Sequence, residues 1–168
     1  MSDELGSRRA GRWVVLAAFA WVAVVPAAWA DGSRLGPRQP LPVYQAECAD
    51  CHLAYPPGLL PAVSWERIMA GLGSHYGVDA SIDADALARI GTWLQANAGT
   101  YKRVGETPQD NRITRSAWFI RKHRKVDPRA WRHDAVRSAA HCAACHAGAE
   151  RGDFNDDDVQ MPPGLLTR

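Results

Sequence analysis

The sequence predicts a mainly α-helical protein made of two small halves. Two stretches carry apolar residues at the spacing of an amphipathic helix, no stretch shows the pattern of a strand, and the motif Cys-x-x-Cys-His occurs twice. The chain has 168 residues. Each half is then about sixty residues long, a size at which the polypeptide core alone is marginal. We therefore expect another group to help fill each core.

The first thirty residues are typical of a cleaved signal peptide. A basic segment precedes an apolar run, and residues 28–30 read Ala-Trp-Ala, the small-x-small pattern of a cleavage site. An uncleaved membrane anchor is the alternative, because residues 13–30 form eighteen positions without a charge. Pro26 and the cleavage pattern favour removal, which predicts an exported protein.

The charge of the chain excludes one class of function. The formal net charge is +2, and removal of residues 1–30 leaves +1, because that segment has three arginines and two acidic residues. A nucleic-acid-binding domain would be strongly basic. We therefore expect no nucleic-acid partner.

Turn-rich stretches divide the rest of the chain. Residues 31–42 are rich in proline and glycine and are interpreted as an extended arm. Residues 100–111 are polar, contain Gly105 and Pro108, and are interpreted as a linker. The predicted domains are therefore a first domain at 43–99 and a second domain at 112–168.

Local patterns predict the helices of the first domain. A short helix over 43–52 is expected to carry the first motif. Ser64 is the expected N-cap of an amphipathic helix, whose apolar face holds Trp65, Ile68, Met69 and Leu72. Asp83 is the expected cap of a longer helix over 84–98, whose stripe is Leu87, Ile90, Leu94 and Ala98.

The second domain has weaker helical signals. A short helix is predicted over 117–125, and Pro128 breaks it. A further helix is expected to run from this break into the second motif. The residues after the second motif are expected to be irregular.

Three interpretations of the repeated Cys-x-x-Cys-His motif compete. Disulfides or a dithiol redox pair leave the histidine unexplained twice, and a thioredoxin-like site would need a βαβ context. Zinc would need a fourth ligand for each motif, and the usual zinc spacings are not found. Covalent haem c explains all three fixed residues of the motif, because the two cysteines form thioethers and the following histidine binds the iron.

The two motifs use all four cysteines of the chain behind a signal peptide, which favours haem over the alternatives. The sequence therefore predicts two covalently bound haem c groups. The predicted attachment residues are Cys48, Cys51, Cys142 and Cys145. The predicted proximal iron ligands are His52 and His146.

Two further histidines are candidates for the opposite face of each iron. His75 follows the first proximal histidine by 23 residues, and His123 precedes the second by 23 residues. Imidazole is the usual nitrogen ligand, so both are predicted to bind iron. His133 is the reserve for the second haem and Met69 for the first, although Met69 is more consistent with a core residue. His141 is interpreted as a surface or supporting residue.

Three segments carry a resemblance to a known family: residues 51–83, residues 112–126, and the second motif with its "AERGDFNDDDV" continuation. Over roughly 44–160 the chain resembles the periplasmic dihaem cytochromes c known as DHC. The resemblance implies an N-terminal class I cytochrome c-like domain and a small, irregular C-terminal haem domain. It also implies a periplasmic location, low reduction potentials and bis-histidine ligation, with the distal positions falling on His75 and His123.

The resemblance implies an electron carrier rather than an enzyme. Family members are held to pass electrons to an oxygen-binding monohaem cytochrome c, and they are often encoded with a membrane cytochrome b. A monomer without a small-molecule substrate is expected. The alternatives are a small dihaem enzyme (a peroxidase or reductase) and a haem gas sensor, both of which need an open iron position. Carbon monoxide binding by the unmutated reduced protein would separate these classes.

Overall fold

The structure is a computed structural model that describes Leu35, residues 40–100 and residues 104–165. The predicted signal peptide, most of the predicted arm, part of the predicted linker and the C-terminal end lie outside the described residues, at 1–34, 36–39, 101–103 and 166–168.

The described part of the chain is mainly helical. Its α-helices are α1 (Pro42–Cys48), α2 (Ala62–Ala70), α3 (Ala84–Asn97) and α4 (Ala117–Lys122). Short 3-10 helices connect them, at Pro57–Leu59, Leu72–Ser74, Gln109–Asn111, Ile113–Arg115, Pro128–Arg132, Cys142–Ala144, Ala149–Arg151 and Asp156–Asp158. The β pairing in these residues is limited to two isolated bridges. The prediction of a mainly helical protein is therefore confirmed. None of the helices described is both long and apolar enough to cross a membrane.

The helices of the first half differ from the predictions at their starts and ends. Helix α1 ends at Cys48, so the rest of the first motif lies in a turn and not in the predicted helix over 43–52. Helix α2 begins at Ala62, so the prediction that Ser64 caps it is wrong. Pro61 is the capping position because its carbonyl already accepts from the amides of Ser64 and Trp65, at 3.0 and 3.3 Å. Serine side chains mark a helix start only where the preceding residues are not yet helical.

The predicted cap of α3 is confirmed. One carboxylate oxygen of Asp83 accepts hydrogen bonds from the amides of Asp85 and Ala86, both at 2.9 Å. These amides belong to the first turn and have no partner inside the helix. The cap therefore fixes the start of the longest helix, which supplies buried Ile90 and Leu94 to the core.

The second half contains less α-helix than predicted. Helix α4 ends at Lys122, earlier than the predicted 125, and the side chain of Ser116 caps it by accepting from the Phe119 amide at 3.1 Å. The predicted helix from Pro128 into the second motif is wrong. Arg137 has a φ of 63°, a left-handed conformation that interrupts a right-handed helix, and the chain around it forms short turns.

One apolar cluster forms the core of the first half. It consists of Tyr44, Leu60, Trp65, Ala86, Ile90 and Leu94. The indole N–H of Trp65 donates to the carbonyl of Pro57 at 2.7 Å, which satisfies the one polar atom of this buried ring. The core thereby fixes the loop that follows the first motif to helix α2.

Residues 110–113, which we call the crossing segment, pack against the first half. Ile113 contacts the apolar cluster of the first half. The Tyr76 hydroxyl lies 3.1 and 3.2 Å from the carbonyl oxygens of Asp110 and Asn111, and the Arg112 guanidinium lies 4.1 Å from the centre of the Tyr76 ring. The division of the chain into two domains stays a prediction, and the crossing segment is one place where the two parts meet.

We predict opposite effects for alanine at two glycines of the first half. The Gly58 amide donates to the Leu35 carbonyl at 2.8 Å, and a β-carbon at Gly58 would collide with that oxygen. Gly58→Ala should lower the free energy of unfolding by about 1–3 kcal/mol, as overpacking does. Gly91 lies inside α3 with open space around it, so Gly91→Ala should raise the free energy of unfolding by about 0.5–1 kcal/mol. Denaturant unfolding of the two variants measures both effects, and a loss of stability in both would contradict the prediction.

Candidate functional site

The first Cys-x-x-Cys-His motif lies at the end of α1. Cys48 is the last helical residue, and Cys51 and His52 follow in the turn. The His52 Nδ1 lies 2.7 Å from the carbonyl oxygen of Leu53 and therefore donates to it. In the neutral ring this hydrogen bond places the proton on Nδ1 and leaves Nε2 available to a metal ion.

His75 faces His52 across a gap. The ring centroids are 6.0 Å apart and the ring planes differ by 26°. A 3-10 helix, Leu72–Ser74, leads into His75, and positive φ angles at Tyr76 and Gly77 turn the chain back behind it. The fold therefore brings together two histidines that the sequence separates by 23 residues.

His123 and His146 form a second facing pair. Their ring centroids are 6.2 Å apart, and the ring planes differ by 78°. His123 follows α4 directly, its Nδ1 donates to the Phe119 carbonyl at 2.9 Å, and its ring stacks on the Phe119 ring with centroids 3.9 Å apart. The edge of Trp131 completes the packing at 5.8 Å. These contacts orient the His123 ring.

Both pairs have the spacing that a bound metal ion requires. Two metal–nitrogen bonds of about 2 Å each, together with the distance from each nitrogen to its ring centre, give a separation of about 6 Å. Burial lowers the pKa of His75, His123 and His146, and the neutral imidazole is the form that binds metal. The four histidines therefore fit two metal ions, one in each gap.

One cavity joins the two pairs. Its volume is about 1820 Å³, well above the ~300–1,000 Å³ of an ordinary ligand pocket. All eight predicted site residues line it: Cys48, Cys51, His52, His75, His123, Cys142, Cys145 and His146. The structure therefore offers space for more than one large cofactor, with an attachment motif for each.

The state of the cysteines bears on the disulfide and zinc interpretations. All four are free. Burial raises the pKa of Cys48 and Cys142 to about 11 and also raises that of Cys145, which disfavours the thiolate form. Metal binding and thiol exchange both use the thiolate. Within the described residues, no three His, Cys, Asp or Glu side chains are placed to hold a metal ion, so zinc has no ligand set there.

The two reserve candidates, His133 and Met69, and the remaining histidine, His141, do not face a predicted proximal histidine. The His133 Nδ1 accepts from the amide of Ala135 at 3.2 Å, and His133 does not line the cavity. Met69 packs against the core of the first half while also reaching the cavity wall. His141, the residue before the second motif, donates from Nδ1 to the Val136 carbonyl at 3.1 Å. None of these three residues forms a facing ring pair with a predicted proximal histidine.

Sequence reasoning missed several residues of this site. Tyr55 stacks on the His52 ring, with centroids 5.0 Å apart, and its hydroxyl donates to the Ala140 carbonyl at 2.8 Å. The Gln160 amide donates to the Cys145 carbonyl at 2.8 Å and ties the C-terminal residues to the second motif. The two hydrogen bonds have no local signal, because Tyr55 and Ala140, and Gln160 and Cys145, are distant in sequence.

The chain is similar to a known family and to solved structures. Residues 44–154 match the family described as dihaem cytochrome c, DHC. The dihaem cytochrome type c of Shewanella baltica OS155 is 40% identical, with a TM-score of 0.64, over 73% of this chain and 93% of that chain. The dihaem cytochrome c of Rhodobacter sphaeroides is 43% identical, with a TM-score of 0.61, over 68% of this chain and 96% of that chain. No curated protein matches the chain.

The match covers both motifs and both histidine pairs, and the solved relatives are covered almost completely. The large shared cavity and the thiols that line it fit two covalently attached macrocycles. The chain therefore belongs to the dihaem cytochrome c family, and its cofactors are two haem c groups.

Proposed function

We propose that this protein is an exported electron carrier in which each of two haem c groups is bound by two histidines. The observation that supports it best is the presence of two pairs of facing histidine rings. The ring centroids are 6.0 Å apart for His52 and His75 and 6.2 Å apart for His123 and His146. A haem iron held by two imidazoles takes up and releases one electron without a substrate position. Cys48, Cys51, Cys142 and Cys145 are the proposed attachment residues.

The four histidines have different tasks in this proposal. His52 and His146 follow the attachment cysteines and are the proximal ligands. His75 and His123 come from outside the motifs and close the opposite faces. Imidazole favours ferric iron relative to methionine, so low reduction potentials follow from these ligands. The chain's own hydrogen bonds at His52 and His123 orient the rings for this task.

A filled sixth position argues against an enzyme or a gas sensor. Both of those functions need an iron to which a substrate or gas can bind. The test is to add carbon monoxide to the reduced, unmutated protein and to follow its visible spectrum. The carrier predicts no binding at either iron. Stoichiometric binding at one iron would replace the carrier by the enzyme or the sensor.

We propose an oxygen-binding monohaem cytochrome c as one partner and a membrane cytochrome b as another. Arg121, Lys122 and Lys125 line the cavity beside the second histidine pair, and Lys122 forms an ion pair with Asp156 at 2.7 Å. Surface cations near a redox centre steer a partner at rates that fall as salt rises. Stopped-flow transfer from the reduced protein to a monohaem cytochrome c, at several salt concentrations, tests this pairing.

The export proposal has a direct mass test. Residues 1–30 are proposed to be removed during export to the periplasm. The intact mass of protein isolated from the periplasm should equal residues 31–168 with two haem groups. A retained N-terminus with membrane-bound protein would support the uncleaved anchor instead.

We predict two different ferric electron paramagnetic resonance signals. The ring planes are close to parallel in the first pair, at 26°, and close to perpendicular in the second, at 78°. Parallel imidazoles separate the iron d orbitals that share the unpaired electron, whereas perpendicular imidazoles leave them nearly equal in energy. The first iron should therefore give a rhombic low-spin spectrum, and the second a low-spin spectrum with a larger maximum g value. Two identical spectra would contradict the difference in ring angle.

A further inference from the structure

Tyr55 contacts the first motif with its ring and the segment before the second motif with its hydroxyl. Its ring stacks on His52 with centroids 5.0 Å apart and planes at 26°. Its hydroxyl donates to the carbonyl of Ala140 at 2.8 Å, across 85 positions of sequence. Ala140 stands two residues before Cys142, the first cysteine of the second motif.

Contacts within the first half fix the position of Tyr55. The hydroxyl of buried Tyr44 donates to the Tyr55 carbonyl at 2.7 Å, and Tyr55 also packs on the apolar cluster of the first half. Tyr44 belongs to helix α1, which carries the first motif. The backbone of Tyr55 is thereby fixed to the same unit as the first attachment site.

The hydroxyl of Tyr55 is connected to the second motif through the main chain of Ala140. The Ala140 carbonyl that accepts from Tyr55 also accepts from the Cys142 amide at 3.0 Å. A carbonyl with two donors is held in direction by both of them.

We propose that Tyr55 is a positioning residue that couples the two haem sites, holding the ring of His52 with its own ring and the second attachment segment with its hydroxyl. The proposal rests on the histidine ligation proposed above. Tyr55 is not itself oxidised or deprotonated in this role. Its ring orients His52 and its hydroxyl orients the second attachment segment, so loss of the whole side chain is expected to affect both irons, and loss of the hydroxyl alone only the second.

The chain offers a matched control in Tyr76. Its hydroxyl also donates to main-chain carbonyls across the two halves, and its ring also touches a proposed ligand, with centroids 4.8 Å from His75. Tyr76 does not reach the second motif, since its acceptors are Asp110 and Asn111. Tyr76→Phe therefore removes a similar hydrogen bond without affecting the second attachment segment.

The experiment compares Tyr55→Phe, Tyr55→Leu and Tyr76→Phe in the full-length holoprotein, each checked by mass for two haems. The ferric resonance spectrum is recorded, with the two signals assigned by His75→Ala and His123→Ala. Tyr55→Phe should shift the signal of the second iron and leave the first, because only the hydroxyl is lost. Tyr55→Leu should shift both signals, because the ring is lost as well. Tyr76→Phe should leave the second signal unchanged.

Amide hydrogen exchange gives a second measurement that does not depend on iron ligation. Loss of one hydrogen bond should speed exchange of the Cys142 amide about fivefold in both Tyr55 variants. Unchanged exchange and an unchanged second signal in Tyr55→Phe would overturn the proposal, as would an equal change in Tyr76→Phe. If the unmutated protein binds carbon monoxide, the proposed ligation fails, while the exchange data still decide whether Tyr55 holds the second attachment segment.

Discussion

Replacing His75 by alanine should open the first iron to carbon monoxide and leave the second unchanged. His75 faces His52 at 6.0 Å, and no other histidine faces that ring among the described residues. Loss of one strong-field imidazole should convert one of the two irons from low to high spin. His123→Ala should do the same at the second iron, whose proposed proximal ligand is His146. Visible spectra and carbon monoxide titration should each show a change at half of the haem.

His133→Ala is the matched control for this experiment. His133 accepts a hydrogen bond from the Ala135 amide and lies outside the cavity wall, so its loss should leave both spectra unchanged. If His133→Ala opened a haem and His123→Ala did not, the ligand assignment in the second half would be wrong. If neither His75→Ala nor His123→Ala changed the spin state, ligation by these histidines would be excluded.

A fragment of residues 31–99 should bind one haem and lose the other. It contains the first motif, His75 and the whole buried cluster of the first half. It lacks the crossing segment, and with it the contact of Ile113 and the acceptors of the Tyr76 hydroxyl. Full burial of a large aliphatic side chain contributes about 1.5–3 kcal/mol, so half-buried Ile113 contributes less, and a hydrogen bond contributes about 0.5–1.5 kcal/mol. The fragment should therefore fold with one low-spin haem but with lower stability than the same half in the full chain.

A longer fragment, residues 31–116, separates the ability of the first half to bind haem from the stability that the crossing segment adds. It restores the crossing segment without the second motif, so it should also bind one haem and should unfold at a higher denaturant concentration. Haem content by mass and denaturant unfolding measure the difference. Failure of both fragments to incorporate haem, under conditions in which the full chain does, would show that the two halves form one interdependent unit.

The helix predictions were correct where a residue and its near neighbours in sequence determine the structure. Asp83 capped α3 as predicted, because a carboxylate next to free amides is a local interaction. The same reasoning failed at Ser64, where the chain was already helical from Ala62. It failed again before the second motif, where the left-handed backbone of Arg137 interrupts a stretch that the residue pattern allows to be helical.

The candidate site also has features that the sequence predicts and features that depend on packing. Pairing each proximal histidine with a second one 23 residues away followed from counting the histidines that two irons would need. The structure places those rings opposite each other, but the angles of 26° and 78° depend on packing around each ring. Stacking on Phe119 and the edge of Trp131 orient His123, and no spacing rule contains that information.

By itself, the sequence determined the cofactors of this protein, because each attachment motif is five consecutive residues whose chemistry needs no distant partner. It also determined the mainly helical character, since apolar periodicity is local. Only the tertiary structure decided that both sites share one cavity of about 1820 Å³, and that Tyr55 reaches Ala140 across 85 positions. Such contacts arise from how the two halves pack, and a side chain's distant partner is chosen by the whole fold rather than by its neighbours in sequence.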